Sequence, residues 1–275
     1  MDNKIKMVGK IGSMALIRPR DMDIDYNIMS RLGEELEPGM IWVSSGATEI
    51  GRLDYIKRRG CELTGDPELV KADYAAQGQA ILMENYRRFI PPGIAVRQLL
   101  VEHTHFNDPL KRKHIRNFLL RAPEQGVVPI VNYNDPVSFD EIVKVELDVL
   151  RRKEKRVVEC IDNDETAAVI SHLVKSPLLV ILTSVDGIYR VPNDPSTLIH
   201  EITGKNPRDL KKNIQATLRS CKGASRLGAG GAFAKLSYII PSAMEGTHVI
   251  IGHARHRISD LVNGRVPCTH IGLEL

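Results

Sequence analysis

Short runs of Val, Ile, Leu and Met punctuate the chain at Ile5–Val8, Met40–Val43, Ile94–Leu100, Val127–Val131, Leu178–Leu182 and Thr247–Ile251. Several are continuous rather than alternating, the pattern of strands buried on both faces of a sheet. Between them lie longer stretches with apolar residues at helical spacing: Asp23–Leu36, Pro67–Phe89, Pro109–Ala122, Asp164–Leu173, Pro207–Ser220 and Gly231–Met244. Pro38-Gly39 is a normal stop for the first of them. Strand–helix alternation with short connections predicts an α/β fold, a three-layer α-β-α sandwich around a mostly parallel sheet. The charge-dense stretch Glu141–Lys155 breaks the pattern and predicts a hairpin or helix outside the main sheet, most simply a solvated excursion.

Composition narrows the class. The 275 residues, 43% apolar and 26% charged, suit one globular domain with a sizeable core. The net charge of +4 comes from interspersed acids and bases, so no dominant basic face points to nucleic acid. Cys61, Cys160, Cys221 and Cys268 are scattered, which fits free thiols in a reducing compartment. No signal-like stretch opens the sequence and no apolar run nears the roughly 18 to 20 residues that span a bilayer. The expectation is a cytoplasmic protein with no membrane partner. His103, His105 and His114 lack a recognised ligand spacing, and no resident metal is predicted.

Candidate chemistry lies in six turns, several placed directly after an expected strand, where open α/β sheets bind ligands. Gly9-Lys10-Ile11-Gly12-Ser13 combines small residues with an ammonium, although GxxxxGK[ST] appears nowhere. Val43-Ser44-Ser45-Gly46-Ala47 sits where a strand ends and a helix begins, offering hydroxyls and backbone donors to an anion, or a plain N-cap. Asn132-Tyr133-Asn134-Asp135 clusters two amides and a carboxylate, suited to amino and carboxylate groups or to an Asx turn. Asp162-Asn163-Asp164-Glu165 carries more acids than helix capping needs, which is tolerable where they face cations. Thr183-Ser184-Val185-Asp186-Gly187-Ile188-Tyr189 follows another strand. In Gly228-Ala229-Gly230-Gly231-Ala232-Phe233-Ala234-Lys235, the glycines give a backbone room to wrap a phosphate, and Lys235 can neutralise charge on a transferring phosphoryl group.

Together, in this order, these stretches resemble the amino acid kinase family, and within it the glutamate 5-kinase branch. Lys10-Ile11-Gly12-Ser13 is similar to that branch's K-[LV]-G-[ST], and Ser44–Ala47 with Gly51-Arg52 to [TS]-S-G-A-x-x-x-G-R. Arg116-Asn117 with Leu119 resembles N-A-R-[ND]-T-L, Asn132–Asp135 resembles N-E-N-D, and Asp162–Asp164 with Ala168 resembles D-N-D-x-L-S-A. Thr183–Tyr189 and Gly228–Leu236 resemble T-D-V-D-G-L-Y and G-T-G-G-M-x-T-K-L, so the matches span Lys10 to about Gly264.

The resemblance implies an eight-stranded sheet in a single domain over 1–275, with an acceptor-binding lobe over about 1–160 and a nucleotide-binding lobe over about 161–275. It implies ATP with Mg²⁺, a small carboxylate acceptor, a homo-oligomer, and transfer to the γ-carboxylate of glutamate, as in proline biosynthesis. Lys10 and Lys235 would flank the phosphoryl group, with Asp164 ordering them. Gly12, Ser45, Gly46 and Ala47 would cradle acceptor and γ-phosphate, with Asn117, Asn134 and Asp135 at the amino acid. Ser13, Thr183, Ser184, Asp186, Tyr189 and Ala229, Gly230, Gly231 and Ala232 would serve the nucleotide. Tyr133, His114, Ser184 and Ala229 depart from the family pattern, and the first two are expected to reshape the acceptor pocket. They keep open a same-fold kinase for another amino acid, an N-acyl amino acid or a nucleoside monophosphate such as UMP. A non-catalytic nucleotide-binding regulator is the alternative of another class.

Overall fold

The strongest apolar runs become the centre of one eight-stranded sheet. In a computed structural model that describes residues 4–154, 157–160, 162–192, 194–221 and 232–274, with side chains in the last range from 235 onward, the strands are β1 (Met7–Ile11), β2 (Met40–Ser44), β3 (Ala95–Val101), β4 (Val127–Tyr133), β5 (Leu178–Thr183), β6 (Glu201–Gly204), β7 (His248–His253) and β8 (Cys268–Leu273). Their spatial order is β6-β8-β7-β5-β1-β2-β4-β3. β1 pairs in parallel with both β2 and β5, and parallel pairing continues outward through β4 to β3 and through β5 to β7. β8 runs antiparallel to β7 and parallel to β6. Every residue of β1 and β4 is buried, which explains their unbroken hydrophobic reading.

Among the described residues, ten helices supply the outer layers: α1 (Tyr26–Glu35), α2 (Ala47–Arg59), α3 (Pro67–Phe89), α4 (His103–Asn107), α5 (Pro109–Arg121), α6 (Asp140–Lys153), α7 (Asn163–Val174), α8 (Pro207–Ser220), α9 (Ala232–Met244) and α10 (Ile258–Val262). On one sheet face, Val8, Val43, Ile181 and Val249 meet Leu119, Ile170, Ile214 and Leu236 from α5, α7, α8 and α9. On the other, Met7, Trp42, Ile130 and Val180 meet Leu32, Ile50, Leu82 and Leu261 from α1, α2, α3 and α10. This is the expected three-layer sandwich. No helix among the described residues is long and apolar enough to cross a membrane.

Helix starts follow local chemistry. Asp66-Pro67, Asp108-Pro109 and Asn206-Pro207 each place a side-chain acceptor at the N-cap and a proline at the first helical position. α2 differs: it opens on Gly46, whose left-handed φ of +110° favours a residue without Cβ. α2 and α3 touch backbone to backbone, since a Cβ on Gly51 would fall 1.8 Å from the Tyr74 carbonyl oxygen and one on Gly78 1.8 Å from that of Ala47. The segment read as a hairpin or helix is the helix α6, with Val143 and Leu147 buried at i, i+4 spacing.

Candidate active site

β1 sits where the chain turns to opposite sides, toward β2 and toward β5, and such a switch point leaves a crevice at the strands' carboxyl ends. A cavity of about 440 Å³ occupies it. Gly12 closes the end of β1 by donating from its N–H to Leu182 O at 3.1 Å, and Ser45 N donates to Ile11 O at 3.1 Å. The bare Cα of Gly12 matters because a Cβ would sit 3.7 Å from Lys10 Nζ, narrowing the space before the ammonium.

The core of the site is an ion triplet. Lys10 Nζ lies 2.7 Å from Asp164 Oδ1, and Lys235 Nζ donates to Asp164 Oδ2 at 2.8 Å. The three residues come from β1, α9 and α7, and each is under 10% exposed. Burial alone would raise the Asp164 carboxyl, but the two ammonium groups outweigh it and hold the carboxyl below its usual range. Asp162, at the N-cap of α7, accepts from Glu165 N at 2.8 Å, and burial pushes its carboxyl up. Two cations sharing one carboxylate beside an open cavity make a site matched to a polyanion.

Lys10, Gly12, Ser13, Ser45, Asp164, Thr183, Ser184 and Lys235 all border this cavity. Gly46 and Ala47 lie next in the chain at the start of α2. Asp162, Asn163, Met14 and Val185 also line it, outside the set predicted to act. The D-N-D match was the signal that could have brought Asp162 and Asn163 into that set. Asn163 has a positioning role: its Nδ2 donates to Asn132 Oδ1 at 2.8 Å, and Asn132 Nδ2 donates to Gln79 Oε1 at 2.7 Å. This amide chain ties α7 to β4 and α3 beside Asp164.

Other expected residues stand away from the cavity. Asn134 Nδ2 donates to Glu102 Oε1 at 2.8 Å, and burial raises the Asp135 carboxyl, with Lys71 opposing. Neither borders the cavity among the described residues. Asn117 is exposed on α5, while its neighbour Arg116 donates from Nε to Leu173 O at 3.1 Å. Helical geometry turns Asn117 outward because Ile115 and Leu119 take the buried face. His114 is exposed on the same helix and Tyr133 is buried in β4; neither lines this cavity, although Tyr133 N donates to the cavity-lining Asn163 Oδ1 at 3.0 Å. Burial pushes the Tyr133 phenol up to about 12. Asp186 is held by Arg255 Nη2 at 2.6 Å and Tyr189 OH at 3.3 Å, beside rather than in the cavity. Thr183 Oγ1 donates to Val185 O at 2.8 Å and braces that turn. Ala229, Gly230 and Gly231 lie outside the described residues, and Ala232 opens α9.

The model of the amino acid kinase family matches residues 7–253. The chain belongs to the amino acid kinase family. A glutamate 5-kinase of Bacteroides thetaiotaomicron is 32% identical over 255 residues, covering 90% of this chain and 63% of the relative. The chain thus spans a little under two thirds of that relative's length. Among solved structures, the carbamate kinase of Giardia lamblia bound to AMP-PNP matches at a TM-score of 0.58 with 13% identity, covering 98% of each chain. The UMP kinase of Ureaplasma parvum matches at 0.56 with 13% identity, covering 97% of this chain and 99% of its own. At that identity the two solved relatives establish the shared fold, which in this chain carries the triplet at its switch point.

The family resemblance implies Mg²⁺ alongside ATP. Among the described residues no three ligating side chains converge, and Asp164 is engaged by two ammonium groups. Mg²⁺ is commonly held by one or two carboxylates together with substrate phosphates, and none of the steps below depends on it.

Proposed function

We propose that the chain is an ATP-dependent phosphotransferase acting on a small carboxylate, with the γ-carboxylate of glutamate as first candidate. The observation that supports it is the convergence of Lys10 and Lys235 on Asp164 at the cavity wall. A carboxylate oxygen of the acceptor attacks the γ-phosphorus in line. The new O–P bond forms as the bond to the β,γ-bridging oxygen breaks, giving an acyl phosphate and ADP. Lys10 and Lys235 oppose the charge on the phosphoryl group, and Asp164 keeps both ammonium groups in place without protein reorganisation. Gly12 leaves room in front of Lys10, while the Ser45 hydroxyl and the start of α2 at Gly46-Ala47 orient the anion, as donors at a helix N-terminus do. On this reading Thr183, Ser184 and the Asp186–Tyr189 turn face the nucleotide, and the residues over about 1–160 present the acceptor.

A second reading is a kinase for a different acceptor. It is favoured by one observation: Asn117, Asn134 and Asp135, the residues expected at an amino acid, do not border the cavity among the described residues. ADP release measured with glutamate, N-acyl glutamate, carbamate and UMP separates the readings, because the true acceptor alone gives turnover. With that acceptor, Lys235→Ala is expected to lose roughly 10²–10³ in kcat. Nucleotide binding without turnover on any acceptor would sink both readings.

A further inference from the structure

A second cavity, about 660 Å³, opens at the β6–β8–β7 edge of the sheet and shares no lining residue with the candidate active site. Glu201, His248 and His270 border it. Strand register places them on one face. Glu201 of β6 is the direct partner of His270 on β8, and Ile250 of β7 is its partner on the other side. His248, two residues before Ile250, therefore shares that face as the diagonal neighbour of His270.

The two imidazoles already meet. His248 Nε2 lies 2.9 Å from His270 Nδ1, with ring centroids 5.2 Å apart. A glycine allows it: a Cβ on Gly272 would fall 2.7 Å from His248 Nδ1, so a larger residue would push the ring off β8. The other nitrogen of His270, Nε2, is buried without a well-formed hydrogen bond, beside the Leu261 backbone. Two nitrogens bound at about 2.1 Å to one ion, at a right angle, are about 3.0 Å apart. A tetrahedral ion would hold them farther apart, at about 3.4 Å.

We propose that His248 and His270 chelate a divalent transition-metal ion of tetragonal preference, Cu²⁺ or Ni²⁺, with Glu201 as the third protein ligand. Among the described residues no three ligating groups yet converge, so the exposed Glu201 side chain turns inward on binding and water completes the shell. The proton that now lies between the two nitrogens moves to the second nitrogen of its own ring, leaving both ligands neutral. The bound ion would bridge three neighbouring strands.

Titration of the full chain with CuCl₂ or NiCl₂ by calorimetry tests the assignment, with MgCl₂ as comparison. One equivalent of Cu²⁺ or Ni²⁺ is expected to bind and Mg²⁺ to give no saturable uptake at this site. His248→Gln and His270→Phe should each abolish binding, Glu201→Gln should weaken it, and His114→Gln should leave it intact. Electron paramagnetic resonance of the Cu²⁺ form needs no variant and should show coupling to two imidazole nitrogens. Absence of saturable uptake, survival of binding in either histidine variant, or coupling to fewer than two nitrogens overturns the proposal.

Discussion

Asp164 is the residue on which the candidate site turns. Its carboxylate is buried, and what makes burial tolerable is an ammonium on each oxygen. Asp164→Asn would leave two buried cations without their shared counter-ion. A loss of about 3–5 kcal/mol is expected for breaking one buried pair, read as a lower midpoint in urea unfolding. The pH dependence has a definite sign. Because the folded carboxyl binds its proton less tightly than the unfolded one, its stabilisation is complete above the ordinary aspartate value of about 3.9 and is lost as pH falls through the lower, folded value. Asp162 and Asp135, raised by burial, act oppositely and favour the folded state in acid. The native chain should therefore lose stability on acidification more steeply than Asp164→Asn, in melts followed from pH 6 downward. Equal slopes would remove the triplet from the account of stability.

Between elements, α2 and α3 approach closely where Gly51 and Gly78 bring backbones into contact. Gly78→Ala drives a methyl group toward the Ala47 carbonyl, on the first residue of the helix that borders the anion cradle. Overpacking of this kind costs about 1–3 kcal/mol, and at about 2–4 °C per kcal/mol the melting temperature should fall by several degrees. The shift of α2 should also raise KM for the nucleotide. Gly93→Ala, with nothing within 4 Å of the added carbon, should do neither. At this scale the sequence was legible where chemistry repeats locally. The Asp/Asn-Pro starts and continuous apolar runs marked α3, α5, α8 and the central strands. β8 escaped because Cys268–Leu273 intersperses polar Thr269 and His270 with its apolar residues, so a search for unbroken apolar runs passes over it. In α6, Val143, Val145, Leu147 and Val149 alternate like a strand, yet only Val143 and Leu147 are buried, so the choice lay in packing that the sequence does not display. Lys10, Asp164 and Lys235 were legible as residue types beside glycine or acid-rich turns. The outward turn of Asn117 was not, because it depends on which face of α5 meets the sheet.

Across the whole molecule, the triplet joins β1, α7 and α9, elements far apart in sequence, so ligand binding there should stabilise the fold as a unit. A non-hydrolysable ATP analogue at 100 times its Kd should add about 2.7 kcal/mol, visible as a raised melting temperature. Lys10→Ala should lose that gain at the same analogue concentration. A second feature of the whole fold reaches the same place by another route. The only tryptophan, Trp42, is fully buried over the bare Cα of Gly9, where a Cβ would come within 2.0 Å of the indole. Its Nε1 donates to Tyr86 OH at 3.0 Å, that hydroxyl donates to Ser44 Oγ at 2.8 Å, and Ser44 Oγ donates to Ser45 O at 3.0 Å. The sole indole fluorophore is thus wired by three hydrogen bonds to the lip of the anion cradle, and its emission colour is expected to shift both on titration with a nucleotide analogue and on unfolding.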